Sequence, residues 1–204
     1  FISYIAIFGV LAWLGFKYYA PIKTYLMPAK TLQVVEPEKK AGQEVSGEKL
    51  AEELSTLVKA LGPEFEIQSM GPPEVTERLD LNGDGLEEIV ADLNDSGAYT
   101  ISYGVFEFRG GKWKFLDLIL ADGTTRPAIF QDGASVRNAE VFKVLEEQKA
   151  LVQVSGMGDN EGNWTWNVKA FSWNGEKYVY NSALSQEILK EQPKRFENDE
   201  PVFE

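Results

Sequence analysis

Neither cysteine nor histidine occurs among the 204 residues of this chain. The first absence excludes disulfides, thiolate metal sites and cysteine nucleophiles. The second removes the side chain that most often serves as general base and as transition-metal ligand. No GxSxG and no phosphate-binding glycine loop is present either, so the usual motif-level signs of hydrolase and nucleotide chemistry are missing. Basic residues are also scarce, with 20 Lys and Arg against 32 Asp and Glu for a net charge of −12. Residues 1–30 contain Lys17, Lys23 and Lys30 and no acid, which leaves the remainder more acidic still. A field of that sign repels nucleic acid, and no basic stripe offsets it. These absences point to a binding protein rather than an enzyme, without a nucleic-acid partner.

Apolar residues make up 44% and aromatics 12% of the chain, enough to build a core and too much for a disordered protein. The length allows one domain plus appendages. Long hydrophobic runs are confined to Phe1–Ala20, FISYIAIFGVLAWLGFKYYA, whose only charge is Lys17. Twenty helical residues reach about 30 Å, the thickness of a bilayer's hydrocarbon core. Trp13, Tyr18 and Tyr19 suit the interfacial belt, and Lys17 suits snorkelling to the headgroups. No small-residue cleavage site follows the run. The expectation is a retained transmembrane helix over residues 1–20, in contact with membrane lipid.

Pro21, Pro28 and Pro37 stop a helix from continuing out of the membrane. Residues 21–46 read as a tether, of which the polar part from 31 to 46 spans about 50 Å when extended. A packing helix is expected next, with Ser46 as N-cap, Glu48 in the first turn and Leu50, Leu54, Leu57, Val58 and Leu61 on one face. Gly62-Pro63 ends it. From Glu74 onward, short apolar and aromatic runs alternate with Asn, Asp and Gly clusters, as strands and turns do. Arg109-Gly110-Gly111 and Asn174-Gly175 read as hairpin turns, and a short helix is expected from about Leu184 to Gln192. The spacing predicts a mainly β (α+β) fold over residues 47–192, with an acidic, mobile tail at 193–204.

The β-rich part repeats at an offset of 65 residues. Ser96-Gly97-Ala98-Tyr99 falls on Glu161-Gly162-Asn163-Trp164, and Phe106–Phe115 falls on Phe171–Tyr180 without a gap, with aromatics, glycines and turns in step. Two similar antiparallel β-units are expected, at about 74–118 and 139–183. They differ at one place. Asp80, Asn82 and Asp84 fall on Leu145, Glu147 and Lys149, so the second unit lacks the acidic loop of the first.

That loop is Asp80-Leu81-Asn82-Gly83-Asp84-Gly85-Leu86-Glu87-Glu88, with oxygen side chains at positions 1, 3, 5 and 9. Calcium takes six to eight oxygen ligands in flexible geometry, and short acidic loops supply them. An EF-hand needs a bidentate acid at position 12, which here is Ala91. The flanks, Thr76-Glu77-Arg78-Leu79 and Glu88-Ile89-Val90-Ala91-Asp92-Leu93, have strand character. LDLNGDGLEEIV between strands resembles the calcium loops of FG-GAP (VCBS) repeats, found in integrin-type propellers and bacterial surface proteins. The resemblance covers about 40 residues, or about 100 with the second unit. It implies Ca2+ as cofactor, held by the side chains of Asp80, Asn82, Asp84 and Glu88 and the carbonyl of Leu86. No FG or GAP signature precedes the loop, and two units do not close a propeller, so a small β-domain or sandwich is expected.

A modest calcium site is filled where calcium is abundant, which puts the domain outside the cytoplasm, in a periplasm or at a cell surface. The lysines after the apolar run argue for the opposite orientation, but the sequence starts at Phe1 and leaves the other flank uncounted. The leading expectation is a single-pass, membrane-anchored accessory, assembly or adhesion subunit with a protein partner. A type IV pilin-like filament subunit is the second, since Phe1, the apolar run and Pro21 are similar to the start of a processed pilin. Ile5 stands where most pilins carry glutamate, and Pro28 and Pro37 interrupt the long helix that such filaments need. A surface carbohydrate-binding module is the third, with Trp164 and Trp166 as a stacking platform. The same residues with Val168 and Ala170 form one strand face, expected as core beneath a helix such as 46–61.

Overall fold

In a computed structural model the described residues are 47–65, 67–95, 100–135, 137–197 and 200–202. The expected anchor 1–20, the tether 21–46, the Ser46 cap and the repeat positions 96–99 lie outside them. Among the described residues no helix is long and apolar enough to cross a membrane.

The described residues open with helix α1, Gly47–Lys59, and a short 3-10 turn, Pro63–Phe65. Leu50, Leu54 and Val58 are buried on one side of α1, with Leu57 and Leu61 partly buried beside them. That is the face expected from helical spacing. Eleven strands follow: β1 Glu74–Leu79, β2 Glu88–Asp92, β3 Thr100–Arg109, β4 Lys112–Phe115, β5 Asp117–Ile119, β6 Thr125–Pro127, β7 Ile129–Ala134, β8 Asn138–Leu145, β9 Ala150–Gly158, β10 Trp164–Trp173 and β11 Tyr178–Tyr180. Helix α2, Ser182–Lys190, comes next, and a pair of short strands, β12 Arg195–Glu197 and β13 Glu200–Val202, ends the described chain. The class is mainly β within α+β, with one large sheet and two α-helices among the described residues.

The sheet runs β1-β2-β3-β7-β8-β9-β10-β11-β5-β6, with β4 also on β3. Its ladders are antiparallel except that between β11 and β5, which is parallel and joins the two expected units. Hairpins force antiparallel neighbours, whereas β5 and β11 meet across 60 residues of chain and are free to run alike. Only Ala128 separates β6 from β7, so the path of paired strands returns on itself. At the return, three backbone bonds form a cycle: Val105 N–H to Ala128 C=O, Ala128 N–H to Leu116 C=O and Leu116 N–H to Val105 C=O, at 2.8–2.9 Å.

Both faces of the sheet are buried. Successive strand residues point to opposite sides, so Val90 and Val105 enter a shared inner core with Leu118, Phe130, Phe142, Leu151, Phe171 and Tyr178. Ile89, Ala91, Phe106 and Trp113 face outward and are covered by α1. Val152, Val154, Trp166, Val168 and Ala170 face outward elsewhere and pack on Leu184, Ile188 and Leu189 of α2. The Trp166 row is therefore core, as expected, but its cover is α2 rather than the helix at 46–61. Two more bonds fix that cover: the Ser185 hydroxyl accepts from Ala170 N–H, and the Trp166 indole N–H donates to Pro193 C=O.

The chain after α2 returns to the sheet. Gln192 and Pro193 are buried, Lys194 C=O accepts from Trp164 N–H, and residues 195–197 pair with 200–202. The open end of the Trp164–Trp166 strand offers donors that a nearby chain satisfies more cheaply than water.

Candidate metal centre

The acidic loop joins β1 to β2 between two directly paired residues, Leu79 and Glu88. Leu81 anchors it from below, with 2% of its surface exposed. Gly83 and Gly85 adopt φ of 79° and 83°, the left-handed conformation that side-chain-bearing residues avoid. The loop is folded onto its own side chains. Asp80 accepts from Gly83 N–H through Oδ1 at 2.7 Å and from Gly85 N–H through Oδ2 at 2.9 Å. Asn82 Oδ1 accepts from Asp84 N–H, and Asp84 Oδ1 from Leu86 N–H. These short-range bonds are what Asp and Asn offer a turning backbone.

Glu88 is different in kind. It is 2% exposed, and its carboxylate accepts from Leu81 N–H at 2.8 Å and from Asn82 Nδ2 at 2.9 Å. Burial pushes its pKa up to about 8, helped by the charges of Asp84 and Asp80, while the two loop bonds pull the other way. A carboxylate in such a place needs either a proton or a cation.

The five residues expected to bind metal thus share one loop, with Asn82 and Glu88 buried and Asp80 and Asp84 exposed. Among the described residues, no three Asp, Glu, His or Cys side chains are gathered as a cage; the loop carboxylates turn onto amides instead. The donor set is nevertheless all oxygen and net negative around a buried carboxylate, which fits a hard divalent cation in preference to a thiolate- or imidazole-seeking one. Asp80, Asn82, Asp84 and Glu88 with the Leu86 carbonyl are the groups that would hold it.

Two residues of the site escaped the sequence reading. Lys149, from the turn between β8 and β9, donates from Nζ to the Asn82 carbonyl at 2.9 Å. A Cβ placed on Gly83 would lie 2.2 Å from that nitrogen, so the glycine leaves the space the lysine tip occupies. Tyr178 of β11 is fully buried, and its hydroxyl has no hydrogen-bond partner. Burial raises its pKa, and the charges of Glu88, Asp80 and Asp84 raise it further. Both residues come from the second half of the chain. Lys149 was visible only as the offset partner of Asp84, which says nothing about contact.

The tryptophans do not form an open platform. Trp166 is 9% exposed, and Trp164 stacks on it with centroids 5.2 Å apart and planes at 19°. Gly156 and Gly158 on β9 lie against the two rings. Comparison with known proteins adds no relative: no family model matches the chain, and neither a curated protein nor a solved structure is significantly similar to it.

Proposed function

We propose that the chain is a non-enzymatic, membrane-anchored protein whose β-domain takes one calcium ion in the Asp80–Glu88 loop and presents a binding surface outside the cytoplasm. The observation that carries the metal reading is Glu88: a buried carboxylate beside two further acids, which a divalent cation would neutralise. The ion would be structural. It would tie the end of β1 to the start of β2, so that the hairpin is held by loop chemistry as well as by its ladder. The apolar run 1–20 would hold the domain at a membrane, and its work there would be that of an accessory, assembly or adhesion subunit with a protein partner.

We also read the domain as two related units, in keeping with the likeness to FG-GAP (VCBS) repeats. Under the 65-residue offset, β1, β2, β3 and β4 fall on β8, β9, β10 and β11. Phe106 pairs with Phe115, and Phe171 with Tyr180, so the register of the closing hairpin is the same in both. The face that meets α1 in the first unit, through Phe106 and Trp113, meets the shared core in the second, through Phe171 and Tyr178. Stacked repeats leave two outer faces to cover, and α1 and α2 would be those covers.

The test is thermal unfolding of the full chain in detergent, with calcium and with chelator, beside Asp84→Ala. Calcium at 100 times its dissociation constant adds about 2.7 kcal/mol. A calcium-dependent rise in Tm that the variant loses is expected; equal melting in both conditions would reduce the loop to a turn.

A further inference from the structure

The second half of the chain supplies a cation to the acidic loop of the first. We propose that Lys149 is a tethered counter-cation of this loop: it supports the loop's shape in the absence of metal and weakens the loop's affinity for calcium. This rests on the calcium reading above and adds the regulation of that site.

The geometry is specific. Lys149 stands 67 residues from Asn82 in sequence, so the contact exists only because the two units close around one core. It sits at the last position of the β8–β9 turn with φ of 46°, a conformation costly for a lysine. The turn is fixed on both sides, by Lys149 N–H to Glu146 C=O and by Trp173 N–H to Lys149 C=O. The backbone from which the side chain reaches the loop is therefore held in place. Its acceptor is the carbonyl at loop position 3, and Asn82 is also the residue whose amide nitrogen bonds Glu88. Gly83 is what lets it approach.

Two consequences follow from charge. Without metal, the Asp80 and Asp84 carboxylates repel one another and disfavour charge on Glu88, and a nearby ammonium offsets part of that. With metal, the ammonium and the divalent ion repel, so the lysine opposes binding. The side chain is exposed, which makes both effects sensitive to salt. A lysine that merely packed against the loop would support it with metal and without, and would show neither the opposition nor the salt dependence.

The experiment uses the full chain in detergent, as wild type, Lys149→Met and Lys149→Arg, with CaCl2 as the probe. Tm in chelator and the calcium dissociation constant by isothermal titration are measured at low and high KCl. Lys149→Met is expected to melt a few degrees lower in chelator yet to bind calcium about fivefold more tightly at low salt. The gap in affinity should narrow at high KCl, and Lys149→Arg should behave as wild type. Wild-type binding with no tightening in Lys149→Met overturns this proposal and leaves the calcium reading intact. Absence of calcium binding in wild type and Lys149→Met alike overturns both.

Discussion

The side-chain amide of Gln153 pairs with the main chain of Gln131 in both directions: Oε1 accepts from its N–H at 2.8 Å, and Nε2 donates to its C=O at 3.0 Å. The β7–β8 ladder has only two paired positions, Gly133 with Glu140 and Ala134 with Ala139. Where those strands part, Gln153 of β9 takes the place of a strand residue, and Nε2 also reaches Glu140 at 2.9 Å. Gln153→Ala is expected to lower stability by about 1–2 kcal/mol, since two backbone groups lose their partners. Gln153→Glu should cost more near neutral pH, because it faces a carbonyl and the Glu140 carboxylate, and should recover on acidification. Urea melts at two pH values measure both.

Glu88 gives a pH dependence with a definite sign. Its pKa stands at about 8 in the folded protein against 4.5 without the fold. Between those values the folded state holds a proton that the unfolded state has released. Stability from this group is therefore full below about pH 4.5 and is lost as pH rises through 8. The loss is on the order of 5 kcal/mol. In chelator, wild-type stability minus that of Glu88→Gln should fall across this window. A flat difference would mean that Glu88 stays ionised throughout.

Gly156 has no room for a side chain. An added Cβ would sit 2.3 Å from the Trp166 ring, and the indole is held by its bond to Pro193. Gly156→Ala is expected to cost about 1–3 kcal/mol and to shift tryptophan emission as the ring moves toward solvent. Unchanged emission and stability would show that the β9–β10 region yields easily.

Leu54 is fully buried between α1 and the outer face of β2, β3 and β4. Leu54→Ala should destabilise by about 2–5 kcal/mol through lost burial and a residual cavity. Hydrogen exchange should speed up in α1 and β4 together if the helix covers that face as one unit. A loss confined to α1 would mean that the sheet stands without its cover.

The sequence alone determined what local rules govern. The α1 face follows from apolar residues at helical spacing, and the strands from β-branched and aromatic runs. The turns at Gly110-Gly111 and Asn174-Gly175 follow from residues that tolerate positive φ, which all three glycines adopt. The acidic loop was legible because its oxygens and glycines lie within nine consecutive residues. Tertiary structure decided what depends on distant pairs. The parallel meeting of β11 with β5, the placing of α2 rather than α1 over Trp166, the Gln153 amide in a strand's gap and the reach of Lys149 to Asn82 all join residues far apart in the chain. No periodicity encodes such pairs. They arise because apolar surface from both halves must share one core, and closing that core brings the second half's turn and its Tyr178 to the first half's loop.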